Sequence, residues 1–189
     1  MTLFKTFWLM KKQLIIIIVF VALAAAAIFA YNFFRVLSPA GETMLTSGDL
    51  TVAVRYSRPS VRDRLIFGDA DQGALQPYGQ YWRLGANDAT EITFNRDVLF
   101  NGEPLAAGTY RMYAVPGAER FEIVLNSELG VSGSQEPNTS MDVLRTTVAV
   151  ESLPSSVEQF TISMEESGQG MRIIFEWATV RLVVPVEIP

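Results

Sequence analysis

The sequence predicts an all-β domain, an antiparallel β-sandwich of about eight or nine strands with Greek-key or jelly-roll-like order, preceded by one transmembrane helix. Apolar and polar residues alternate with a period of two in most segments after residue 48, and turn-forming residues separate these segments. After residue 36 no segment keeps a helical period over three turns. The 189-residue chain is long enough for one domain with an appendage.

The appendage is an uncharged segment near the N-terminus. Residues 13–34 contain no charged side chain, and a helix of 22 residues is about 33 Å long, enough to cross a hydrocarbon core of about 30 Å. Trp8 and Tyr31 lie near its ends, where amphipathic rings favour the headgroup zone. One membrane span is therefore expected.

Basic residues predict the orientation of this span. Lys5, Lys11 and Lys12 precede it and only Arg35 follows, which favours a cytoplasmic N-terminus. The alternative is a cleaved signal peptide with Ala-Ile-Phe-Ala at 27–30 as its cleavage site, but the apolar run exceeds the usual 7–15 residues of such peptides. We therefore expect an uncleaved single-pass anchor in the cell inner (plasma) membrane.

The expected layout has four parts. They are a cytoplasmic N-terminus at 1–12, the transmembrane anchor at 13–35, a linker at 36–47 and an extracytoplasmic domain, periplasmic or exterior, at 48–189.

Composition excludes several classes of function. The chain has no Cys and no His, so it has no thiol nucleophile, no Cys/His zinc site, no imidazole-based triad and no acylated lipoprotein Cys. After residue 36 it has eleven Arg, no Lys and twenty acidic residues, a net charge of −9. Such a surface repels phosphate backbones, which argues against nucleic-acid binding.

The strands are predicted from alternation and turn signals. Asn101-Gly102 follows Val98–Phe100, and this dipeptide favours a tight hairpin turn. Residues 126–140 have no apolar period and predict a long loop. The remaining predicted strands cover residues 50–56, 91–95, 109–115, 121–125, 143–150, 159–164, 171–177 and 180–186.

Residues 57–88 interrupt the alternation and form the predicted binding region, since long irregular segments in compact domains often carry function. Arg58, Arg62 and Arg83 could form a guanidinium pocket for a carboxylate, sulfate or phosphate group, with Asn87 beside them. Three aromatic residues could supply stacking walls; they are Tyr56, Tyr78 and Trp82. The alternative is that the Arg side chains pair with Asp63, Asp88 or Glu91 and brace the segment.

Five strings resemble the bacterial family DUF2911. They are YSRPSVRDRLIFG (56–68), PYGQYWRLGANDATEITFNRDV (77–98), LAAGTYRMYAVPG (105–117), DVLR (142–145) and VEQFTI (157–162). The resemblance implies an exported all-β domain and brings no activity, because the family is named for lacking one. Its blocks cover Arg58, Arg62, Trp82, Arg83, Gly85, Asn87 and Thr90.

A metal site is not predicted. Asp69 and Asp71 precede Gly73 in the manner of a calcium loop, but Gln80 stands where an EF-hand needs Glu, so a solvated turn is expected. No cofactor is implied.

Three functions remain open. The leading hypothesis is a non-catalytic module at the cell envelope that binds a small anionic ligand, a glycan or an envelope protein. The second is a carboxylate-dependent hydrolase of envelope glycans that uses a pair such as Asp88 and Glu91. The third is a structural partner in an envelope complex, with the sandwich edge or residues 126–140 as its interface.

Overall fold

The computed structural model describes residues 2–34, 37–168 and 170–189, and the chain divides into two compact units, Met1–Leu37 and Ser38–Pro189. The first unit is one helix, α1 (Thr2–Phe34). Its segment Gln13–Ala30 has a mean hydropathy of 2.9, apolar and long enough for a membrane anchor or a signal sequence. Arg35, used above to predict orientation, lies outside the described residues, as do the side chains of Trp8, Tyr31 and the three N-terminal Lys residues.

The second unit is built of strands. In chain order they are β1 (Ala40–Ser47), β2 (Leu50–Ser57), β3 (Phe67–Gly68), β4 (Gln76–Pro77), β5 (Thr90–Phe94), β6 (Val98–Phe100), β7 (Glu103–Leu105), β8 (Gly108–Val115), β9 (Arg120–Asn126), β10 (Asp142–Ala149), β11 (Glu151–Ser167) and β12 (Gly170–Glu187). Two 3₁₀ helices cover Ala70–Gln72 and Thr139–Met141.

Two antiparallel sheets form the sandwich, as predicted. The larger has the order β1-β2-β5-β8-β9-β10 and the smaller β11-β12-β6-β7, and β3 and β4 form a short parallel pair. Alternate residues of each sheet point into one shared core, which fully buries Val52, Ile92 and Ile123 of the larger sheet and Ile173 and Val184 of the smaller. Alternation thus separates a core face from a solvent face on each strand.

Three predicted boundaries were wrong. Residues 40–47, expected to belong to a linker, form β1, an edge strand whose alternation is weak because its inward side chains are only half-buried. The predicted strand 159–164 is part of the longer β11. The predicted strands 171–177 and 180–186 form one strand, β12, which continues through Ala178 at a φ of 51°.

The irregular segment between β2 and β5 folds back onto the core. Ile66, Phe67 and Leu84 are buried. The backbone of Trp82 pairs with Ala114 of β8 through N–H···O bonds of 2.8 and 2.9 Å, one in each direction. Much of the predicted binding region is therefore a packed extension of the sandwich.

The predicted hairpin at Asn101-Gly102 is confirmed, with both residues at positive φ (51° and 84°) between β6 and β7. A Cβ at position 102 would meet no atom of the described residues within 4 Å, so Gly102→Ala changes only the backbone preference. We expect this substitution to lower the free energy of unfolding by about 1 kcal/mol, measured by urea denaturation. Glu103→Ala, at an exposed position of the same hairpin, is the control; equal stability of the Gly102→Ala variant and wild type would contradict the turn assignment.

Candidate functional site

Tyr56 and Arg58, two of the predicted binding residues, connect the two sheets. The Tyr56 hydroxyl accepts a hydrogen bond from the backbone N–H of Ile162 at 3.0 Å, and its ring packs edge-on against Phe160. Arg58 donates through Nε to the carbonyl oxygen of Phe160 at 3.4 Å and through Nη2 to the hydroxyl of Thr161 at 3.2 Å. Both side chains are thus bonded to β11.

Trp82 belongs to the hydrophobic core. Its side chain is 2% exposed and stacks on Trp177, with ring centroids 5.7 Å apart and planes 21° apart. Phe67 and Phe160 meet it edge-on, each with a centroid distance of 5.2 Å. Tyr78 is half-buried and packs against the same core. The faces of the Trp82 ring are therefore covered by protein.

Arg83 and Asn87 contact the long loop that precedes β10. Asn87 has a φ of 58°, its backbone carbonyl accepts a bond from the N–H of Gly133 at 2.9 Å, and its amide donates to the carbonyl of Ser38 at 3.2 Å. A Cβ on Gly133 would lie 2.8 Å from Cδ of Arg83, so glycine permits this close approach.

The seven predicted residues do not share one concavity. Arg62 is exposed at a φ of 50°, and its backbone N–H donates to Oε1 of Glu158 at 3.1 Å. The residues thus divide into three groups: Tyr56, Arg58 and Arg62 at β11; Tyr78 and Trp82 at the core; and Arg83 and Asn87 at the loop. Among the described residues, neither Arg58 nor Arg83 forms the alternative ion pair with Asp63, Asp88 or Glu91.

A groove with a volume of about 680 Å³ opens on the outward side of β1, β2 and β5. Glu42 of β1 is opposite Arg55 of β2, and Arg55 is opposite Glu91 of β5. Asp88 and loop residues 130–132 complete the lining. Of the seven predicted binding residues, only Tyr56 is among the lining residues.

Loop residues 130–132 form a fixed wall of this groove. The backbone N–H of Gly130 donates to Oε1 of Glu91 at 3.0 Å. The N–H of Ala89 donates to the carbonyl oxygen of Val131 at 3.3 Å. The Glu91 carboxylate therefore holds the wall against β5.

Three charged side chains of the groove have no partner among the described residues. Glu42, Arg55 and Asp88 are exposed and make no side-chain hydrogen bond or ion pair there, although Glu42 and Arg55 are opposite each other. Elsewhere on the domain, Arg145 and Arg172 pair with carboxylates. The groove thus presents charges of both signs that are available to a ligand.

The loop that supplies the wall is hydrogen-bonded to a buried arginine. Arg111 of β8 is fully buried and donates to Oε2 of Glu128 at 2.9 Å, to the hydroxyl of Tyr81 at 2.7 Å and to the carbonyl oxygen of Gln135 at 2.5 Å. The Tyr81 hydroxyl donates in turn to the carbonyl oxygen of Gly133 at 3.0 Å. These bonds attach residues 128–135 to the larger sheet.

A second polar cluster adjoins the base of the same loop. The Tyr113 hydroxyl donates to Oδ1 of Asp142 at 2.9 Å, and the Asn126 amide donates to the same oxygen at 2.8 Å. Arg145 donates to Oδ2 of Asp142 at 2.9 Å. Burial and the Asp142 carboxylate raise the pKa of the Tyr113 phenol well above its ordinary value.

Sequence reasoning did not select these groups as binding residues. Glu42 lay in the expected linker, and Arg55 was not singled out. Asp88 and Glu91 were considered only as bracing partners of the predicted Arg residues and as a carboxylate pair. Glu42, Arg55 and Glu91 form a row of charged side chains on the outward face of three neighbouring strands. Their outward positions are the signal that could have identified this row, but using that signal requires the strand order and register.

The calcium-like motif lies on an exposed turn. Asp69 and Asp71 flank the start of the 3₁₀ helix Ala70–Gln72, which ends at Gly73 with a φ of 73°. Within residues 2–34, 37–168 and 170–189, no three acidic side chains gather at a distance suited to a metal ion.

Comparison with known proteins identifies the family. The DUF2911 model, described as a protein of unknown function, matches residues 38–186, and the chain belongs to this family. No curated protein and no solved structure matches the chain significantly.

The raised pKa of Tyr113 predicts a pH dependence of stability. Because the folded state holds the phenol proton more tightly than the unfolded state, whose pKa is near 10.0, stability is lost as pH rises above that value. Tyr113→Phe removes this titration, so the free energy of unfolding should fall less steeply, by up to about 1.4 kcal/mol per pH unit.

Urea denaturation from about pH 9 to about pH 12 tests this. At the lower pH the variant should be less stable by about 1 kcal/mol, because a buried hydrogen bond is lost. Parallel slopes for the two proteins would contradict the proposed titration.

Proposed function

We propose that this DUF2911 protein is a membrane-anchored, extracytoplasmic, non-catalytic binding module that takes a polar ligand in the groove of β1, β2 and β5. The observation that carries the proposal is the set of three charges, on Glu42, Arg55 and Asp88, that share one concavity and have no partner among the described residues. Two of these side chains lie on paired strands, which hold their positions without a ligand. The volume of about 680 Å³ is large enough to hold a small molecule.

The N-terminal helix supports the cellular part of the proposal. Its uncharged run, residues 13–34, exceeds the usual 7–15 apolar residues of a signal peptide, which favours an uncleaved anchor. The excess of Lys before the span favours a cytoplasmic N-terminus, and it thereby directs the sandwich to the outer side of the inner (plasma) membrane. The ligand is therefore sought among molecules of the cell envelope.

The charge of the groove narrows the class of ligand. Of the three groove side chains that have no partner in the described part of the chain, two are carboxylates, and the chain after residue 36 has a net charge of −9. A purely anionic ligand such as sulfate meets net repulsion there. Ligands that also offer hydrogen-bond donors, such as amines and glycans, match the carboxylates and the backbone of the wall.

A hydrolase is the second candidate, because Asp88 and Glu91 line the same groove. A carboxyl group that acts as general acid needs a desolvated site that keeps it protonated. Asp88 is exposed, and Glu91 is engaged with the N–H of Gly130. These environments favour binding over catalysis.

The structural-partner hypothesis placed an interface on residues 126–140. In the structure this loop is bonded to its own sheet through Arg111, Tyr81 and Asn126. Such bonding favours a role for the loop as a fixed wall of the groove over a role as an interface with another protein.

Ligand-induced stabilisation of the full chain in detergent tests the proposal. The panel holds N-acetylglucosamine oligosaccharides, amino acids, phosphoethanolamine, dicarboxylates and inorganic phosphate. We expect at least one probe to raise Tm in a saturable manner, because binding at 100 times Kd stabilises the native state by about 2.7 kcal/mol.

Groove variants locate the binding. Arg55→Gln and Asp88→Asn should remove most of the rise in Tm, whereas Arg120→Gln, an exposed arginine outside the groove lining, should keep it. A rise that survives both groove substitutions would place binding elsewhere and refute the proposal. Glycoside cleavage that is lost in the Asp88→Asn variant would establish the hydrolase instead.

A further inference from the structure

We propose that the groove recognises a zwitterion, with its ammonium group held by Glu42 and Asp88 and its anionic group held by Arg55. This inference rests on the proposed function of the same groove and names the chemical class of its ligand. It follows from the charges of the three side chains, from their lack of partners among the described residues, and from their positions in the groove.

The placement of the charges comes from the strand register. Glu42 and Arg55 are directly opposite on β1 and β2, where paired Cα atoms lie about 4.5–5.5 Å apart. Both belong to outward positions, because the neighbouring Val54 and Tyr56 point into the core. The two charges therefore lie close enough to contact different ends of one small ligand.

Glu91 explains why two carboxylates, and not three, are assigned to the ligand. Its Oε1 accepts the N–H of Gly130 at 3.0 Å and so holds the wall. Glu42 and Asp88 have no such partner among the described residues. The charge left for a ligand is one guanidinium and two carboxylates.

Mixed charge of this kind selects against ligands that carry one sign alone. A simple anion that pairs with Arg55 meets the carboxylates of Glu42 and Asp88, and a simple amine that pairs with them meets Arg55. A ligand with both groups makes charge-assisted hydrogen bonds at each end. Arginine also suits a phosphate or carboxylate, because its donors bind two oxygens at once.

The class we assign is a primary ammonium joined to a phosphate by a short linker, as in phosphoethanolamine. The ammonium supplies three N–H donors for carboxylates, whereas a quaternary amine supplies none. This headgroup occurs in membrane lipids and as a soluble phosphate ester.

Calorimetry on the full chain in phospholipid-free detergent tests the assignment. Phosphoethanolamine should bind at least about tenfold more tightly than ethanolamine, phosphocholine or inorganic phosphate, because each of these lacks one of the paired interactions. Arg55→Gln and Asp88→Asn should each weaken binding by about tenfold or more. Arg120→Gln and Glu103→Gln, exposed and outside the groove lining, should match wild type.

Reconstitution distinguishes the two sources of the ligand. In nanodiscs that contain phosphatidylethanolamine, competition should weaken binding of soluble phosphoethanolamine relative to phosphatidylcholine nanodiscs if the lipid is bound. Equal affinity in the two nanodiscs would support the zwitterion as a soluble ester and exclude the lipid.

Two outcomes would overturn the zwitterion assignment. They are equal affinity for phosphoethanolamine and inorganic phosphate, or full affinity in the Arg55→Gln variant. If an oligosaccharide binds in a manner that depends on Arg55 and Asp88 while phosphoethanolamine does not, the zwitterion is refuted and the groove remains the binding site. If every ligand-induced rise in Tm is unchanged by both substitutions, the assignment of the groove as the binding site is refuted.

Discussion

The buried guanidinium of Arg111 is the constraint on which the outward face of the larger sheet depends. A fully buried cation is costly unless its donors are paired, and Arg111 obtains its partners from Glu128, Gln135 and Tyr81. Two of these partners belong to the loop before β10. The loop must therefore fold onto the sheet to supply two of the three partners of the Nη1 and Nη2 groups, and its residues 130–132 then become the wall of the groove.

The domain uses its charged side chains in two ways. Arg111 is desolvated and bonded to the protein, so it contributes to the uniqueness of the loop conformation. At the groove, Glu42, Arg55 and Asp88 are exposed and have no partner among the described residues, which leaves their binding capacity for another molecule. Glu91 combines the two uses, because it lines the groove and its carboxylate also accepts a hydrogen bond from Gly130 of the wall.

Local patterns predicted the strands that carry strong local signals. Asn101-Gly102 specified a hairpin, and alternation identified β2, β5, β8 and β9. The edge strand β1 was missed because its inward side chains are only half-buried and its pattern is weak. Trp82 was assigned to a ligand wall because its segment lacks alternation, yet that segment returns to the core and stacks Trp82 on Trp177. The row Glu42–Arg55–Glu91 is determined by the register of three strands, and Arg111 is covered by a loop that follows it in the chain by many residues. Neither arrangement is a local property of the sequence.

The central claim, that the loop before β10 is a fixed wall and not a mobile segment, is tested most directly by amide hydrogen exchange on the full chain. The N–H groups of Ala89, Gly130 and Gly133 each donate to an acceptor across the contact between the loop and residues 87–91. We expect these amides to be protected to nearly the same degree as those of β8 and β9. Exchange of all three at the rate of an unstructured peptide would contradict it, because the groove would then lack a preformed wall.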